Sequence, residues 1–348
     1  MTMRSLFIVG LFSTLSCLFA LNATAQTNHD LREGIADYPI PIPAAIYPIE
    51  GGVPSVIEPT TVRNFAISAV SNWGLNSPNT TIGAEVAPLL IGNNTSLSKY
   101  LSSRLLRVVL RTRVSIATTL PQDHSYHSAI GFRWMLHDDA DLRADSLFER
   151  ALVRWASQYP DIQSQCASSG DADAITECLT EQVSSRPGIQ KQIDSLRRAF
   201  KETYWNRSVV EMAFVFGYKG SVNIENESRF VIDQHFLSLA AAFPFCGING
   251  QVLFGANGQA GYFSDAVYRH RGTLSIRGYY GSVSERFFLE AAEVFTSYIT
   301  PETRLNIGGV TRIANGLWIQ ANIGAPLRAN SSPTAAVTLS FGTPEIHH

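Results

Sequence analysis

The sequence predicts an all-β fold: a transmembrane, antiparallel, up-and-down β-barrel of about 12 strands with an α-helical insert. Three observations predict it. Only 16% of the 348 residues are charged, whereas about a quarter is usual in soluble domains. Beyond the first 25 residues, no apolar run reaches the roughly 18 residues that a membrane-spanning helix needs. Several segments alternate apolar and polar residues for longer than the strands of soluble sheets, which average about 5 or 6 residues.

The N-terminal segment has the features of a secretory signal peptide. Arg4 precedes an apolar run from Leu6 to Leu21, and Ala23-Thr24-Ala25 has the small-x-small pattern of a cleavage site. We therefore expect cleavage near Ala25 and export to the cell outer membrane of a Gram-negative bacterium. Cys17 leaves lipoprotein processing as an alternative.

Six segments alternate most clearly, with a period of two. The segment Leu105 to Ala117 has Leu106, Val108, Leu110, Val114 and Ile116 on one parity and Arg107, Arg111 and Arg113 on the other. A tilted strand needs about 9 to 11 residues to cross a membrane, and this segment is long enough. The same pattern recurs at Thr81 to Leu90, Ser128 to His137, Val209 to Lys219, Thr273 to Tyr280 and Arg304 to Ile313.

Six weaker segments complete the predicted barrel. They are Arg63 to Val70, Phe230 to Ala241, Gly250 to Ala256, Phe287 to Phe295, Leu317 to Gly324 and Ala335 to Phe341. An even strand count is expected of bacterial outer-membrane barrels, and Asn315-Gly316 is a strong hairpin signal. The segment from Phe287 is the least regular, because Glu290 and Glu293 have opposite parity. Only a β-bulge would turn both carboxylates inward.

A secreted β-sandwich is the alternative fold, since its strands also alternate. Strand length, low overall charge and the C-terminal pattern favour the barrel instead. Val337, Leu339 and Phe341 alternate in a way that is similar to the terminal signal of outer-membrane barrels. The tail 342–348 departs from the usual terminal Phe.

The sequence pattern divides the exported chain into five parts. These are a Pro-rich extended leader (26–60), barrel strands 1 to 4 (61–137), a helical insert (138–205), barrel strands 5 to 12 (206–341) and a tail (342–348). Six prolines between Tyr38 and Pro59 block helix and central strand, so this segment is either a periplasmic leader or a strap that enters the lumen. The insert has 20 charged residues and three apolar stripes at helical spacing. With a periplasmic N-terminus, the insert follows the fourth strand and lies at the periplasmic side, whereas an error of one strand in the count would place it outside the cell.

Two of the four cysteines lie close together in the insert. Cys166 and Cys178 flank the break Ala167 to Gly170 between two predicted helices. We expect them to form a disulfide in the oxidising periplasm, with two buried free thiols as the alternative. Cys246 has no evident partner.

The charged side chains on the inner parity of the strands are the candidate functional residues. We expect ten of them to face the lumen: Arg107, Arg111, Arg113, Arg133, Arg277, Arg312, Glu85, Glu211, Asp233 and Glu290. A ring of one sign would select ions. Alternatively, paired charges would hold together a filled lumen. A barrel of this size has room for either a narrow pore or a plugged interior.

The sequence predicts no catalytic residue, no metal site and no cofactor. The cluster Asp123 to Ser128 contains the residue types of a serine hydrolase, but adjacent residues on a strand point to opposite faces and a polar loop explains the cluster as well. Asp139, Asp141 and Asp145 lack the spacing of a calcium loop and suit an acidic helix start better. The net charge of -2 disfavours nucleic acid as a partner.

The whole mature chain resembles bacterial outer-membrane β-barrel proteins. Ser128 to Asp138 with the insert behind it, and Leu274 to Ser282, resemble a poorly characterised family among them. This resemblance implies a barrel surrounded by outer-membrane lipid and transfers no catalytic residue. The expected function is a channel or transport component with a charged lumen. The alternatives are a non-conducting structural barrel that docks a periplasmic protein through 138–205, and an outer-membrane lipid-modifying enzyme.

Overall fold

Twelve antiparallel strands form a closed barrel in which each strand pairs with its neighbours in sequence and β1 pairs with β12. The computed structural model describes residues 42–49, 68–74, 81–91, 97–119, 125–141, 144–167, 178, 181–183, 185–203, 205–222, 228–245, 249–262, 268–314, 317–327 and 333–341. The strands are β1 (Ser68–Gly74), β2 (Thr81–Val86), β3 (Arg113–Thr119), β4 (Ser125–Asp138), β5 (Val209–Val222), β6 (Ser228–Pro244), β7 (Gly250–Tyr262), β8 (Tyr268–Gly281), β9 (Glu285–Thr296), β10 (Ile299–Ala314), β11 (Leu317–Pro326) and β12 (Thr334–Phe341). The predicted fold class is confirmed.

Strand length is the property that most clearly separates this barrel from a soluble sheet. The strands from β4 to β10 have between 12 and 17 residues, which is more than the roughly 9 to 11 that cross a bilayer. Every predicted strand overlaps an observed one. The hairpin dipeptide Asn315-Gly316 lies outside the described residues, and the strands that flank it pair as antiparallel neighbours.

The third strand differs from the prediction, because it starts at Arg113 and not at Leu105. Three short helices precede it: α1 (Pro88–Ile91), α2 (Leu97–Ser102) and α3 (Arg104–Leu110). The Ser103 side chain caps α3 by accepting a hydrogen bond from the backbone N–H of Leu106. Leu105 and Val109 are four residues apart, so the same apolar residues also fit one face of a helix. The prediction that this region is part of the barrel wall was wrong.

Inner and outer faces alternate along the long strands. On β8, Leu274 and Ile276 are exposed on the outside while Arg277 is buried inside. On β9, Glu290 is buried inside and Glu293 keeps the outer parity. Glu293 accepts a hydrogen bond from Thr303 Oγ1 (2.6 Å) near the end of the strand. The pairing of β9 with β8 is regular, so the bulge that would turn both carboxylates inward is absent from this pairing.

A bulge does occur at the end of β4. Met135 pairs with Glu211 and His137 pairs with Val210, so Leu136 is an additional residue in the ladder. The bulge reverses the parity of the last residues. Asp138 therefore has a buried side chain, whereas His137, which the alternation places on the inner face, is about half exposed.

The α-helices that the structure describes all lie at one end of the barrel. Because β1 starts and β12 ends at this end, we call it the terminal rim. The chain between β2 and β3 and the chain between β4 and β5 both leave from this rim. The opposite rim has the connections that follow the odd-numbered strands, from β1–β2 to β11–β12.

The insert between Asp138 and Val209 contains α4 (Ser146–Ala156), α5 (Pro160–Ala167) and α6 (Pro187–Thr203). Asp145 is the N-cap of α4 and accepts hydrogen bonds from two backbone N–H groups, so the acidic helix start is confirmed for this residue. Phe148 of α4 packs on Phe200 of α6, with ring centroids 5.3 Å apart. Cys166 and Cys178 are joined in a disulfide. Among the described residues, no helix has the length and hydropathy needed to span a bilayer.

Candidate functional site

A short segment from the Pro-rich region lies inside the barrel. Residues 42–49, which we call the strap, include a 3-10 turn at Ala44–Ile46 whose three residues have no exposed surface. The turn contacts β2, β3, β4 and β5 from the inside. Of the two alternatives for the Pro-rich region, the described residues agree with a strap that enters the lumen. The rest of 38–59 lies outside the described residues.

Four hydrogen bonds fix the strap to the wall. The backbone N–H of Ala44 donates to Glu85 Oε2 (3.2 Å), and that of Ala45 donates to Ser115 Oγ (3.0 Å). The carbonyl oxygen of Ile42 accepts from Arg133 (2.8 Å). At the other end, Gln259 Nε2 on β7 donates to the Pro48 carbonyl (3.3 Å). Side chains of the barrel wall thus satisfy these four backbone groups, and further backbone groups of the strap bond to one another, as Ile46 N–H does to the Pro43 carbonyl.

Small residues in the wall make room for the strap. A Cβ atom on Gly83 would lie 2.7 Å from the side chain of Ile46. One on Gly131 would lie 2.5 Å from Ser115 Oγ and 3.2 Å from the backbone nitrogen of Ala45. The surrounding wall positions are also small, with buried residues Ala117, Ala129 and Ala213. We call β2 to β5 the strap wall.

Four charged residues of the strap wall form one ion-pair cluster. Arg133 Nε lies 3.3 Å from Glu85 Oε2, and Arg133 Nη1 lies 3.0 Å from Glu211 Oε1. Arg113 Nη1 lies 3.5 Å from Glu85 Oε1. All four side chains are nearly fully buried. Two positive and two negative charges balance, so the cluster is neutral and joins four successive strands.

A second ion pair lies across the lumen. Arg277 donates to Glu290 through Nε (2.6 Å), and Glu290 also accepts from Asn306 Nδ2 (2.8 Å). The guanidinium of Arg277 lies 4.5 Å from the ring centroid of Phe288 and donates to the Tyr279 hydroxyl (2.8 Å). In contrast to the strap wall, this part of the barrel fills the interior with its own aromatic side chains.

An apolar cluster packs in the interior near the terminal rim. Its buried members come from the inner faces of β4 to β11 and from the end of the insert: Met135, Trp205, Val209, Ala242, Leu253, Tyr279, Val283, Phe288, Val310 and Trp318. Trp205 follows α6, so the insert itself contributes a side chain to the end of the barrel. We call β8 to β11 the aromatic wall, which contributes Tyr279, Phe288, Val310 and Trp318 to this cluster.

The structure places most of the predicted lumen-facing charges on inner faces. Arg113, Arg133, Glu85 and Glu211 lie in the strap-wall cluster, and Arg277 and Glu290 form the second pair. Arg312 has the inner parity of β10, and its guanidinium lies 5.9 Å from the Trp318 ring centroid. The side chain of Asp233 lies outside the described residues, at a register shift between β5 and β6.

Two of the predicted charges do not line a strand. Arg107 lies on α3, and Arg111 follows that helix as its C-cap. Arg111 is buried at the terminal rim, where it pairs with Asp138 and Asp141. Both predictions were wrong for the same reason, because the helix replaces the first half of the expected strand.

Sequence reasoning missed the rim network around Asp141. Tyr100 on α2 donates to Asp141 Oδ2 (2.7 Å), and burial together with the neighbouring Asp141 carboxylate raises the pKa of the Tyr100 phenol. Arg207, at the end of the insert, pairs with Asp145. These partners are far apart in the sequence, so no local spacing could have indicated them. The described residues contain no group of three His, Cys, Asp or Glu side chains placed to hold a metal.

The hydrolase-like cluster does not come together as a site in the described residues. Asp123 and His124 lie outside them, and Ser128 Oγ lies 3.2 Å from Thr118 Oγ1 on the neighbouring strand. Three other predictions concern segments outside the described residues: the signal peptide 1–25 with Cys17, the thiol of Cys246, and the tail 342–348.

No protein-family model matches the chain, and no curated protein matches it. Several solved structures are similar to it. Acinetobacter baumannii outer membrane protein Omp33 is 10% identical over 80% of this chain and 97% of its own, with a TM-score of 0.37. The KdgM porin is 6% identical over 80% and 99%, with a TM-score of 0.40. The translocator domain of autotransporter NalP from Neisseria meningitidis is 7% identical over 80% and 87%, with a TM-score of 0.33. The likeness concerns the barrel architecture alone.

Proposed function

We propose that the protein is an outer-membrane channel whose lumen is closed at rest by its own strap. The observation that carries this proposal is the position of Ala44–Ile46, fully buried against a wall of small residues. A separate segment, and not the wall, fills this half of the lumen. The closing element can therefore leave without unfolding any strand of the barrel.

Two aromatic girdles on the outer surface support placement in a membrane. Near the terminal rim, Phe243, Phe245, Tyr280 and Phe287 are exposed, and near the opposite rim Tyr262, Tyr268, Phe295 and Tyr298 are exposed. On β8 the two girdles are represented by Tyr268 and Tyr280, which for a strand tilted by about 40° are about 30 Å apart along the barrel axis. Leu274 and Ile276 lie between them on the same face. Barrels of outer membranes have this arrangement.

The polar contacts of the strap support a reversible plug. Four of its backbone groups pair with side chains that face the lumen, and water could take over these hydrogen bonds when the strap leaves. The charge cluster behind the strap is already neutral. An opened lumen would thus expose paired charges among small side chains, and the charges suit the passage of hydrated solutes.

Conductance in planar bilayers tests the proposal. We expect few openings from the mature protein, and stable openings from a variant in which residues 42–49 are replaced by a Gly-Ser sequence of equal length. In a matched control, Ala45→Cys with Ser115→Cys should lock the strap under oxidising conditions and abolish openings, because the Ala45 nitrogen lies 3.0 Å from Ser115 Oγ. A strap-replaced barrel that folds, as judged by heat-modifiable migration, and yet stays silent would contradict the proposal.

The second candidate function is a non-conducting barrel that docks a periplasmic protein through the insert. The burial of Trp205 among inner-face residues of the strands favours this candidate. The contact attaches the insert firmly to the end of the barrel, as a docking platform requires. Silence of both the mature protein and the strap-replaced variant would favour this candidate.

A further inference from the structure

The rim helices α1 to α3 expose an apolar face that the barrel does not cover. Leu89, Leu101, Leu105 and Val109 are all exposed, and Leu105 is the most exposed of them at 73%. Leu105 and Val109 are four residues apart on α3, so they lie on the same face. In contrast, Leu110 at the end of the helix is buried against the rest of the molecule.

This face is continuous with the outer surface of the barrel. Arg104 of α3 donates to the carbonyl oxygen of Leu136 (3.3 Å), which places the helix beside the end of β4. Val108 and Leu136 line the same cavity. The helix therefore lies where the outer face of β4 reaches the terminal rim, at the level of the aromatic girdle.

Positive charge accompanies the apolar face. Arg104 and Arg107, one turn apart on α3, line a cavity of about 570 Å³ between the helix, the end of β4 and the start of the insert. The buried Nε of Arg107 has no hydrogen-bond partner in the part of the chain that the structure describes. Its side chain thus offers a donor to a ligand.

Three carboxylates of the same cavity have arginine partners. Asp138 and Asp141 pair with Arg111, and Asp145 pairs with Arg207. Asp139 contacts His137. The four arginines and four aspartates around the cavity balance in formal charge, but Arg104 and Arg107 form no ion pair with a carboxylate of the described residues.

We infer that the rim helices bind an anionic phospholipid, with its phosphate at Arg104 and Arg107 and its acyl chains against Leu105 and Val109. This inference rests on the membrane placement in the proposed function. An amphipathic helix with flanking basic residues lies in the membrane interface, where apolar burial and attraction to anionic headgroups act together. Continuity with the lipid-facing belt argues for lipid over a protein partner on this face.

Labels at three positions test the location of the helix. Single cysteines replace Leu105, Leu274 or Val153 in a Cys246→Ser background, and each carries a fluorophore in the full-length mature protein reconstituted into vesicles. Leu274, 57% exposed at mid-barrel, is the lipid reference, and Val153, 64% exposed on α4, is the water control. We expect quenchers on lipid chains to quench labels at 105 and 274, and aqueous iodide to quench only the label at 153.

The quenching results distinguish lipid binding by the rim helices from the membrane placement of the barrel. Lipid quenching at 274 without quenching at 105 would overturn lipid binding by the helix and leave the membrane barrel intact. Absence of lipid quenching at both positions would overturn both. A label at 105 that neither quencher reaches would show that protein covers this face, which also contradicts the inference.

Lipid retention tests the role of the arginines. Native mass spectrometry of the full-length protein, incubated in detergent with phosphatidylglycerol or phosphatidylcholine, should show preferred retention of phosphatidylglycerol. Arg104→Gln with Arg107→Gln should weaken that retention about fivefold for each arginine. The matched variant Arg150→Gln with Arg154→Gln changes two exposed arginines of α4 and should have no effect. Equal retention by both double variants would overturn the headgroup site.

Discussion

The strap wall and the aromatic wall fill the same lumen by different means. The strap wall presents small side chains such as Gly83 and Ala117, and the space that they leave is taken by a separate segment. The aromatic wall presents Tyr279, Phe288 and Trp318, which fill the interior from the strands themselves. Both walls keep a buried ion pair. Only the filling on the strap-wall side belongs to a segment that is not itself a strand of the barrel.

The largest expected effect comes from the ion-pair cluster of the strap wall. Arg133→Met leaves the buried carboxylates of Glu85 and Glu211 without their shared cation, which should lower the free energy of unfolding by about 3 to 5 kcal/mol. Urea unfolding followed by tryptophan fluorescence measures it. The control Arg312→Met removes an inner arginine that is only partly buried, and should cost about 1 kcal/mol or less. Similar losses in both variants would mean that the cluster has no special role.

Reduction of the Cys166–Cys178 disulfide tests whether the stability of both walls is independent of the insert. The cysteines are 12 residues apart, and the chain-entropy argument gives their link about 3 kcal/mol within the insert. We expect faster proteolysis of the insert after reduction, with unchanged urea unfolding of the barrel. Loss of barrel stability on reduction would mean that the packing of Trp205 couples the stability of the insert to that of the aromatic wall. Full alkylation without reduction would contradict the disulfide.

Two glycine substitutions compare the walls directly. Gly308→Val on the aromatic side brings a Cβ within 2.5 Å of the Ala321 carbonyl oxygen, a backbone atom that cannot move freely. It should destabilise the barrel by about 1 to 3 kcal/mol. A Cβ on Gly83 lies 2.7 Å from the Ile46 side chain of the strap and 3.3 Å from the Ile116 carbonyl oxygen, so Gly83→Val acts mainly on the strap. It should destabilise the barrel less than Gly308→Val and increase conductance, because the strap is displaced. Equal destabilisation without any new openings would remove the distinction between the walls.

The smallest effect is expected from substitution of Gln259 on β7, with Gln251 on the same strand as the control. Gln259 donates to the Pro48 carbonyl of the strap, whereas Gln251 donates to the Arg207 carbonyl (3.1 Å) at the other end of the strand. One lost hydrogen bond is worth about 1 kcal/mol. Gln259→Ala should therefore raise the frequency of channel openings about fivefold, and Gln251→Ala should not. An equal rise in both would indicate a general loosening and not a strap contact.

The barrel could be predicted from the sequence because its signal is local. The alternation of Leu274, Ile276 and Tyr280 against Arg277 is visible within a few residues, and the structure has the same faces. The failures also have local causes. Leu105 and Val109 lie on the same parity as Arg107, so they interrupt the alternation and fit one face of a helix, and one additional residue at Leu136 reverses the parity of His137. A period of two gives no sign of the additional residue.

The interior was predictable only in part. Inner parity identified Arg133 and Glu211 as candidates, but their partnership depends on which strands become neighbours across the 70 or so residues of the insert. The contacts of the strap with Ser115 and Gln259 are set by tertiary packing alone. Proline spacing could indicate an extended segment without indicating the surface on which it lies.

The position of the insert has a consequence for how the protein reaches its membrane. Because the insert and the rim helices leave from the same rim as the first and last strands, insertion from that side never carries their charged residues through hydrocarbon. Only the connections of the opposite rim have to cross, and the one between Pro326 and Thr334 is the longest of them. Assembly thus transports a few short polar turns, while the most highly charged part of the chain stays in water throughout.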